Sequence, residues 1–182
     1  VLTCDPKMVY AAFTIPQLSY AEAMELSHFG AKVIFPATMQ PAMKKNIPIQ
    51  IKNTFDPSHP GTLINGEVRE GGWIKGISSR SNLSLMTLQS AGWMAAGGSL
   101  GRIFTVLSEA RLSSLLISQD SSQHSICLAL ATEEAILAKE LIEQEFFYEI
   151  KSGEMDPVSI LPGLALVAVV GENMKHDPGT SG

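Results

Sequence analysis

Between Asn82 and Lys151 the chain switches between two hydrophobic periods, and the switches mark out a module. Asn82–Gln89 (NLSLMTLQ) alternates apolar and polar residues with period 2, the pattern of a half-buried strand. Gly92, Gly97 and Gly98 then signal a turn. Ser99–Ala110 places Leu100, Ile103, Phe104 and Leu107 on one helical face. Leu112–Gln119 and His124–Ala131 read as a second and a third strand, joined by a Ser-rich loop. Thr132–Phe147 predicts a helix, with Thr132 as its cap and Glu133 and Glu134 at its positive end. Tyr148–Lys151 predicts a closing strand. The order β-α-β-β-α-β is the ferredoxin-like split βαβ motif, an antiparallel sheet with two helices on one face. A right-handed crossover predicts the second strand beside the first.

The flanks carry weaker patterns. Ser19-Tyr20-Ala21-Glu22 is a capping box opening a helix to about His28, with Gly30 turning the chain at its end. Ala31–Phe35 predicts a short strand. Pro36 suits the first turn of a helix ending near Asn46, which Pro41 bends or divides. Ile47–Lys52 and Thr62–Ile64 predict strands around a loop rich in turn residues. Asn65–Gly72 (NGEVREGG) is polar and bounded by glycine, so a domain boundary is expected there. Trp73–Ile77, Val158–Ile160 and Leu164–Val170 complete the expected strands. Ala165–Gly171 followed by Asp177-Pro178-Gly179 repeats the layout of Leu83–Gln89 followed by Gly97-Gly98 and suggests the opening of a second ferredoxin-like unit.

Composition narrows the function classes. With 45% hydrophobic and 17% charged residues among 182, a packed core is expected and wholesale disorder is not. A net charge of −5 without a basic run gives nucleic-acid binding little support. No apolar stretch reaches the roughly 18 residues of a membrane span. Cys4 and Cys127 form neither a metal spacing nor a disulfide framework, so the expected setting is a reducing cytoplasm. A start at Val1 and an end at Gly179-Thr180-Ser181-Gly182 suggest a piece of a longer protein.

Two features point to a small ligand. The turn before Ser99 delivers a helix N-terminus, whose free N–H groups favour a carboxylate or phosphate. The loop Ser118-Gln119-Asp120-Ser121-Ser122 is dense in hydrogen-bonding side chains. The alternative is an ordinary helix start and an ordinary polar loop.

Longer motifs carry a resemblance. Leu18–Val33 (LSYAEAMELSHFGAKV) resembles the signature of aspartate kinases near the end of their kinase domain. Pro41–Ile49, Asn53–Pro57 and Pro60–Ile64 continue it in the family's order. Thr3-Cys4-Asp5-Pro6 looks like the family's nucleotide loop, and Ile117-Ser118-Gln119 with Ser121–Ser125 resembles its first regulatory ACT domain. The family's N-terminal Lys-Phe-Gly-Gly-Thr motif does not occur here.

The resemblance implies an α/β (α+β) chain: the end of an amino-acid kinase sandwich in residues 1–66, an ACT domain in 73–151 whose leading strand 73–77 belongs to a second one, and the start of that second ACT domain in 152–182. It implies a parent enzyme that phosphorylates L-aspartate with ATP and magnesium, with Thr3, Asp5, Pro6 and Lys32 near ATP. No catalytic residue, metal ligand or bound cofactor is expected in these residues alone, and no kinase activity. It implies feedback by threonine or lysine at Gln119, Ser118, Ile117, Asp120, Gly98 and Ser99. Gln119 resembles the threonine-responsive class often fused to homoserine dehydrogenase, and a homodimer through ACT domains is implied. The alternative function is a stand-alone amino-acid-binding ACT module without enzyme activity.

Overall fold

The computed structural model describes residues 1–31, 34–67, 74–90, 98–120, 124–172 and 174. The chain divides into two compact units, residues 1–80 with 166–182, and residues 81–165.

In the first unit, β1 (Gln17–Ser19) runs straight into α1 (Tyr20–His28). The capping box is present: the Glu22 N–H donates to Ser19 Oγ at 3.1 Å, and the Ser19 N–H donates to Glu22 Oε2 at 2.9 Å. Helix α1 ends where Gly30, at φ +132°, turns the chain so that the Ala31 N–H reaches the Leu26 carbonyl. A methyl on Gly30 would lie 2.4 Å from the Ser79 carbonyl oxygen. Next come α2 (Pro36–Lys44), β2 (Ile49–Ile51) and β3 (Thr62–Asn65). Pro41 lies inside α2, which stays one element although proline removes a donor from its ladder. The sheet order is β1-β3-β2, with β1 parallel and β2 antiparallel to β3. Its core gathers Ile15, Leu18, Tyr20, Ala23, Leu26, Met39, Ile64 and Val170.

The second unit is built on β4 (Gly76–Gln89), α3 (Ser99–Glu109), β5 (Leu116–Gln119), β6 (Ser125–Ala131), α4 (Thr132–Glu145), α5 (Phe147–Ser152) and β7 (Ser159–Val170). The sheet order β5-β6-β4-β7 is that of the split βαβ motif. Met86, Leu88, Ile126, Leu128 and Leu130 pack against Ile103 and Leu107 of α3 and against Ala138 and Ile142 of α4. The chain passes between the units within β4, after Arg80, and within β7, after Ala165.

Several sequence expectations need correction. The second strand of the module does not lie beside the first: β6 pairs with both β4 and β5 and separates them. Residues 148–151 form α5, not a strand, and the closing strand is β7. Phe146, just before them, is fully buried in the helix-side core, and the Ile150 N–H bonds to its carbonyl, which starts the helical turn. Thr132 does not cap α4. Ala131 holds that place, and Thr132 Oγ1 accepts from Ser84 Oγ at 3.1 Å. The two strands read at 158–160 and 164–170 are one strand, β7. Ile34 and Phe35 are not strand, and residues 32–33, most of the polar stretch 68–72, and Gly92 and Gly97 lie outside the described residues.

Candidate functional site

The segment around Thr3, Asp5 and Pro6, which the sequence likened to a nucleotide loop, closes on itself. Leu2 bridges Thr14, and the Thr3 N–H donates to the Phe13 carbonyl at 2.9 Å. Thr3 Oγ1 accepts from the Phe13 N–H, so its hydroxyl helps shut the loop. Asp5 Oδ1 accepts from the Lys7 N–H at 2.8 Å, and the Asp5 carbonyl accepts from the Met8 and Val9 N–H groups. That is an Asx turn, which leaves Asp5 and Pro6 exposed at its tip. Lys32 lies outside the described residues. Further along, the Asp56 carboxylate takes a 2.6 Å hydrogen bond from Ser58 Oγ, which holds its pKa below the ordinary carboxylate value.

The effector residues named in the sequence all belong to the second unit. Strand register sorts them by face. Gln119 pairs with Ile126 and Ile117 with Leu128, and both partners belong to the helix-side core. Opposed residues of an antiparallel pair share a face, so Gln119 and Ile117 point to the helix side. Ser118 pairs with Cys127 and points to the other. Gly98 and Ser99 start α3, which covers the helix side. Ile117, Gln119, Gly98 and Ser99 therefore share one side of the sheet, and Ser118 does not.

Two details of this side were not visible in the sequence. Ser99 is 2% exposed, and its Oγ is a buried hydroxyl without a hydrogen-bond partner. A buried hydroxyl with no partner carries a desolvation cost that a ligand acceptor would relieve. It sits at the N-terminus of an 11-residue helix that has no side-chain cap. Asp120, in contrast, is committed locally. Its Oδ1 accepts from the His124 and Ser125 N–H groups at 2.9 and 3.3 Å, closing the turn between β5 and β6. An aspartate opening a short polar loop, where its carboxylate can accept from backbone N–H groups across the loop, is the signal that could have revealed this role.

Among the described residues, no group of three or more His, Cys, Asp or Glu side chains could hold a metal ion. No helix among them is long and apolar enough to cross a membrane.

Comparison with known proteins places the chain among sequences and structures it resembles. A model of the amino acid kinase family matches residues 1–53, and a model of the ACT domain matches residues 87–146. The chain is 42% identical to the bifunctional aspartokinase/homoserine dehydrogenase of Haemophilus influenzae over 180 residues, 98% of this chain and 22% of that protein. It aligns with E. coli aspartokinase III in complex with aspartate and ADP (R-state) at a TM-score of 0.80 and 31% identity, covering 99% of this chain and 40% of the other. The complex of that enzyme with lysine and aspartate (T-state) aligns at 0.74 and 32%, covering 94% and 37%. Nearly the whole chain thus matches one stretch of known aspartate kinases. It spans about a fifth of the length of the Haemophilus relative. The α/β reading holds, with amino-acid kinase and ACT matches in that order along the chain.

Proposed function

We propose that the protein carrying this chain phosphorylates L-aspartate with ATP, and that the chain supplies part of its nucleotide site together with an amino-acid-responsive regulatory site. Residues 1–66 form the end of the kinase domain, residues 73–151 an ACT domain that takes its leading strand 73–77 from a second one, and residues 152–182 the start of that second ACT domain. Thr3, Asp5, Pro6 and Lys32 face ATP. The exposed Asp5-Pro6 turn, shut behind by Thr3, fits a segment that presents itself to a nucleotide. Phosphoryl transfer depends on positioning and charge neutralisation, and a lysine ammonium suits a phosphate. ATP brings magnesium on its own phosphates. This chain's part is to bind and orient the nucleotide.

The effector is threonine, with lysine as the rival. One observation carries the regulatory reading: the unpartnered Ser99 hydroxyl is buried at an uncapped helix N-terminus, on the side of the sheet to which Gln119 points. The helix start takes the effector carboxylate, and the Gln119 amide takes its hydroxyl or its backbone. Ile117 and the turn closed by Asp120 shape the rest, while Ser118 faces the other side of the sheet. The lysine and aspartate complex of E. coli aspartokinase III supports an amino-acid effector. The edge strand β5, with Leu116 and Ile117 exposed, supports a homodimer through the ACT domains. The setting is the cytoplasm. The amino acid kinase match over residues 1–53 disfavours a stand-alone ACT module.

The test is calorimetry of threonine and of lysine on the chain, with Gln119→Ala and Ser99→Ala as controls. Threonine binding is expected, weakened about tenfold or more in each variant. Binding of neither amino acid, or binding indifferent to both substitutions, overturns the site.

A further inference from the structure

Only two stretches of chain pass between the units, and each contains a left-handed residue close to the crossing. Asn82, two residues past Arg80, has φ +59° inside β4. Gly163, two residues before Ala165, has φ +76° inside β7. A non-glycine residue in this region is uncommon, and inside a strand it breaks the pleat. The two residues also face each other. The Ser90–Met155 bridge and the Asp156 N–H bond to the Gln89 carbonyl fix an antiparallel register, and continuing it sets Asn82 opposite Gly163.

The surroundings are as unusual as the dihedrals. Arg80, Ser81 and Asn82 are exposed in succession, and so are Leu161, Pro162 and Gly163. None of the six belongs to either core cluster. Pro162 has no N–H to give to the ladder. A methyl on Gly163 would meet nothing within 4 Å, so its backbone angle, not crowding, calls for glycine there.

The first residues of β4 hold the segments assigned to the nucleotide. The Ile77 N–H donates to the Thr3 carbonyl at 2.7 Å, and Ser78 Oγ donates to the Leu26 carbonyl at 3.3 Å. Gly30, two residues before Lys32, fits against the Ser79 carbonyl only because it lacks a side chain. Further along, the same strand pairs with β6 over Leu83–Gln89.

We infer that the Asn82–Gly163 rung is a hinge in the two connecting strands, and that effector occupancy of the second unit is passed to the nucleotide-facing segments of the first by bending there. The regulatory half of this inference rests on the effector site and nucleotide assignments proposed above. Hinges are short stretches that absorb backbone change while flanking elements stay intact. A rung with two left-handed residues, a missing donor and no core contacts fits that requirement, and the paired rungs beyond it supply the intact flank. Asn82 and Gly163 act through other residues and touch neither ligand, so they are positioning residues.

The test uses the full-length protein. Valine is strongly disfavoured at positive φ, so Asn82→Val removes the bend, whereas Asn82→Gly keeps it. Effector affinity by calorimetry is expected to stay within about twofold in both, while the effector concentration for half-inhibition of aspartate phosphorylation rises about tenfold in Asn82→Val only. Gly163→Ala is the second arm should valine at 82 unfold the sheet: its methyl has room, and only its φ is penalised. Normal inhibition in a folded Asn82→Val or Gly163→Ala protein overturns the hinge, as does loss of binding alongside inhibition. Hydrogen exchange separates this failure from failure of the effector reading. Amides of 81–83 and 163–165 are expected to exchange faster than those of 86–88 and 167–169, whether or not an amino acid binds. Equal protection across the rung overturns the hinge. Failure of threonine and lysine to bind the unmodified protein overturns the coupling, leaving exchange to judge the hinge alone.

Discussion

Arg102 shows how much one side chain can organise. It sits on α3 and reaches the end of α4 and the start of α5. Its Nε donates to Glu145 Oε1 at 2.7 Å, its Nη2 to the Glu145 carbonyl at 2.8 Å, and its Nη1 to Glu149 Oε1. Its guanidinium carbon lies 4.2 Å above the Phe146 ring, which is fully buried. The fork satisfies a carbonyl left open at the C-terminus of α4 and stacks on the residue that ends that helix. Because Arg102 is partly exposed, the ion pairs are screened, and Arg102→Ala is expected to cost roughly 1–2 kcal/mol. Lysine keeps the charge but not the fork, so Arg102→Lys recovers less than half of that in urea titrations. Recovery of full stability by lysine would show that charge alone matters. The Arg102 hydrogen bond holds the Glu149 pKa below the ordinary glutamate value. A lowered carboxylate pKa stabilises the fold above the unfolded-state value, and that contribution fades as pH falls through the folded-state value. The acid limb of unfolding, below about pH 4.3, should therefore flatten in Glu149→Gln. An unchanged limb would mean that the pair contributes nothing measurable. The sequence hid this cluster, because its members lie more than 40 positions apart with no periodic signal.

At the scale of elements, legibility followed locality. The capping box of α1 was readable because its partners are three residues apart. The structure adds what spacing could not: Glu22 is 4% exposed, and its Oε1 also accepts from the Glu172 N–H at 3.2 Å. Ser19→Ala should cost about 1 kcal/mol, the ordinary value of a lost cap. Glu22→Ala should cost more, roughly 2–3 kcal/mol, because a buried and a half-buried N–H group both lose their acceptor. Equal losses would mean that the Glu172 bond is of no consequence. The helices at 99–110 and 132–147 were also legible, since a 3.6-residue period persists over several turns. The strand order was not, because pairing is a long-range choice that period 2 leaves open. The terminal strand failed for a related reason. A run of four residues such as Tyr148–Lys151 is too short for its period to separate strand from helix, and its tertiary surroundings decide. At the candidate site, the sequence supplied Gln119, Gly98 and Ser99 as residue types in suggestive places. It could not tell that Gln119 and Ser118 face opposite ways, since that depends on the partner strand.

At the scale of the molecule, the two units hold separate cores, and among the described residues no side chain belongs to both. A defect in one core should therefore be felt first within its own unit. Ile142 is fully buried between α4 and the sheet of the second unit. Ile64 is fully buried on β3 of the first. Truncating either to alanine removes several buried methyl and methylene groups and leaves a cavity, at a cost of about 2–5 kcal/mol. In native-state hydrogen exchange, Ile142→Ala should lower protection of the β6 amides at 126–130 and spare the β3 amides at 63–65. Ile64→Ala should do the reverse. Reciprocal loss in both units from either substitution would mean that they unfold as one cooperative body. Their division at residues 80 and 165 would then describe packing alone. Separate responses would mean that the second unit can change state without unfolding the first, as a bending rung between them requires.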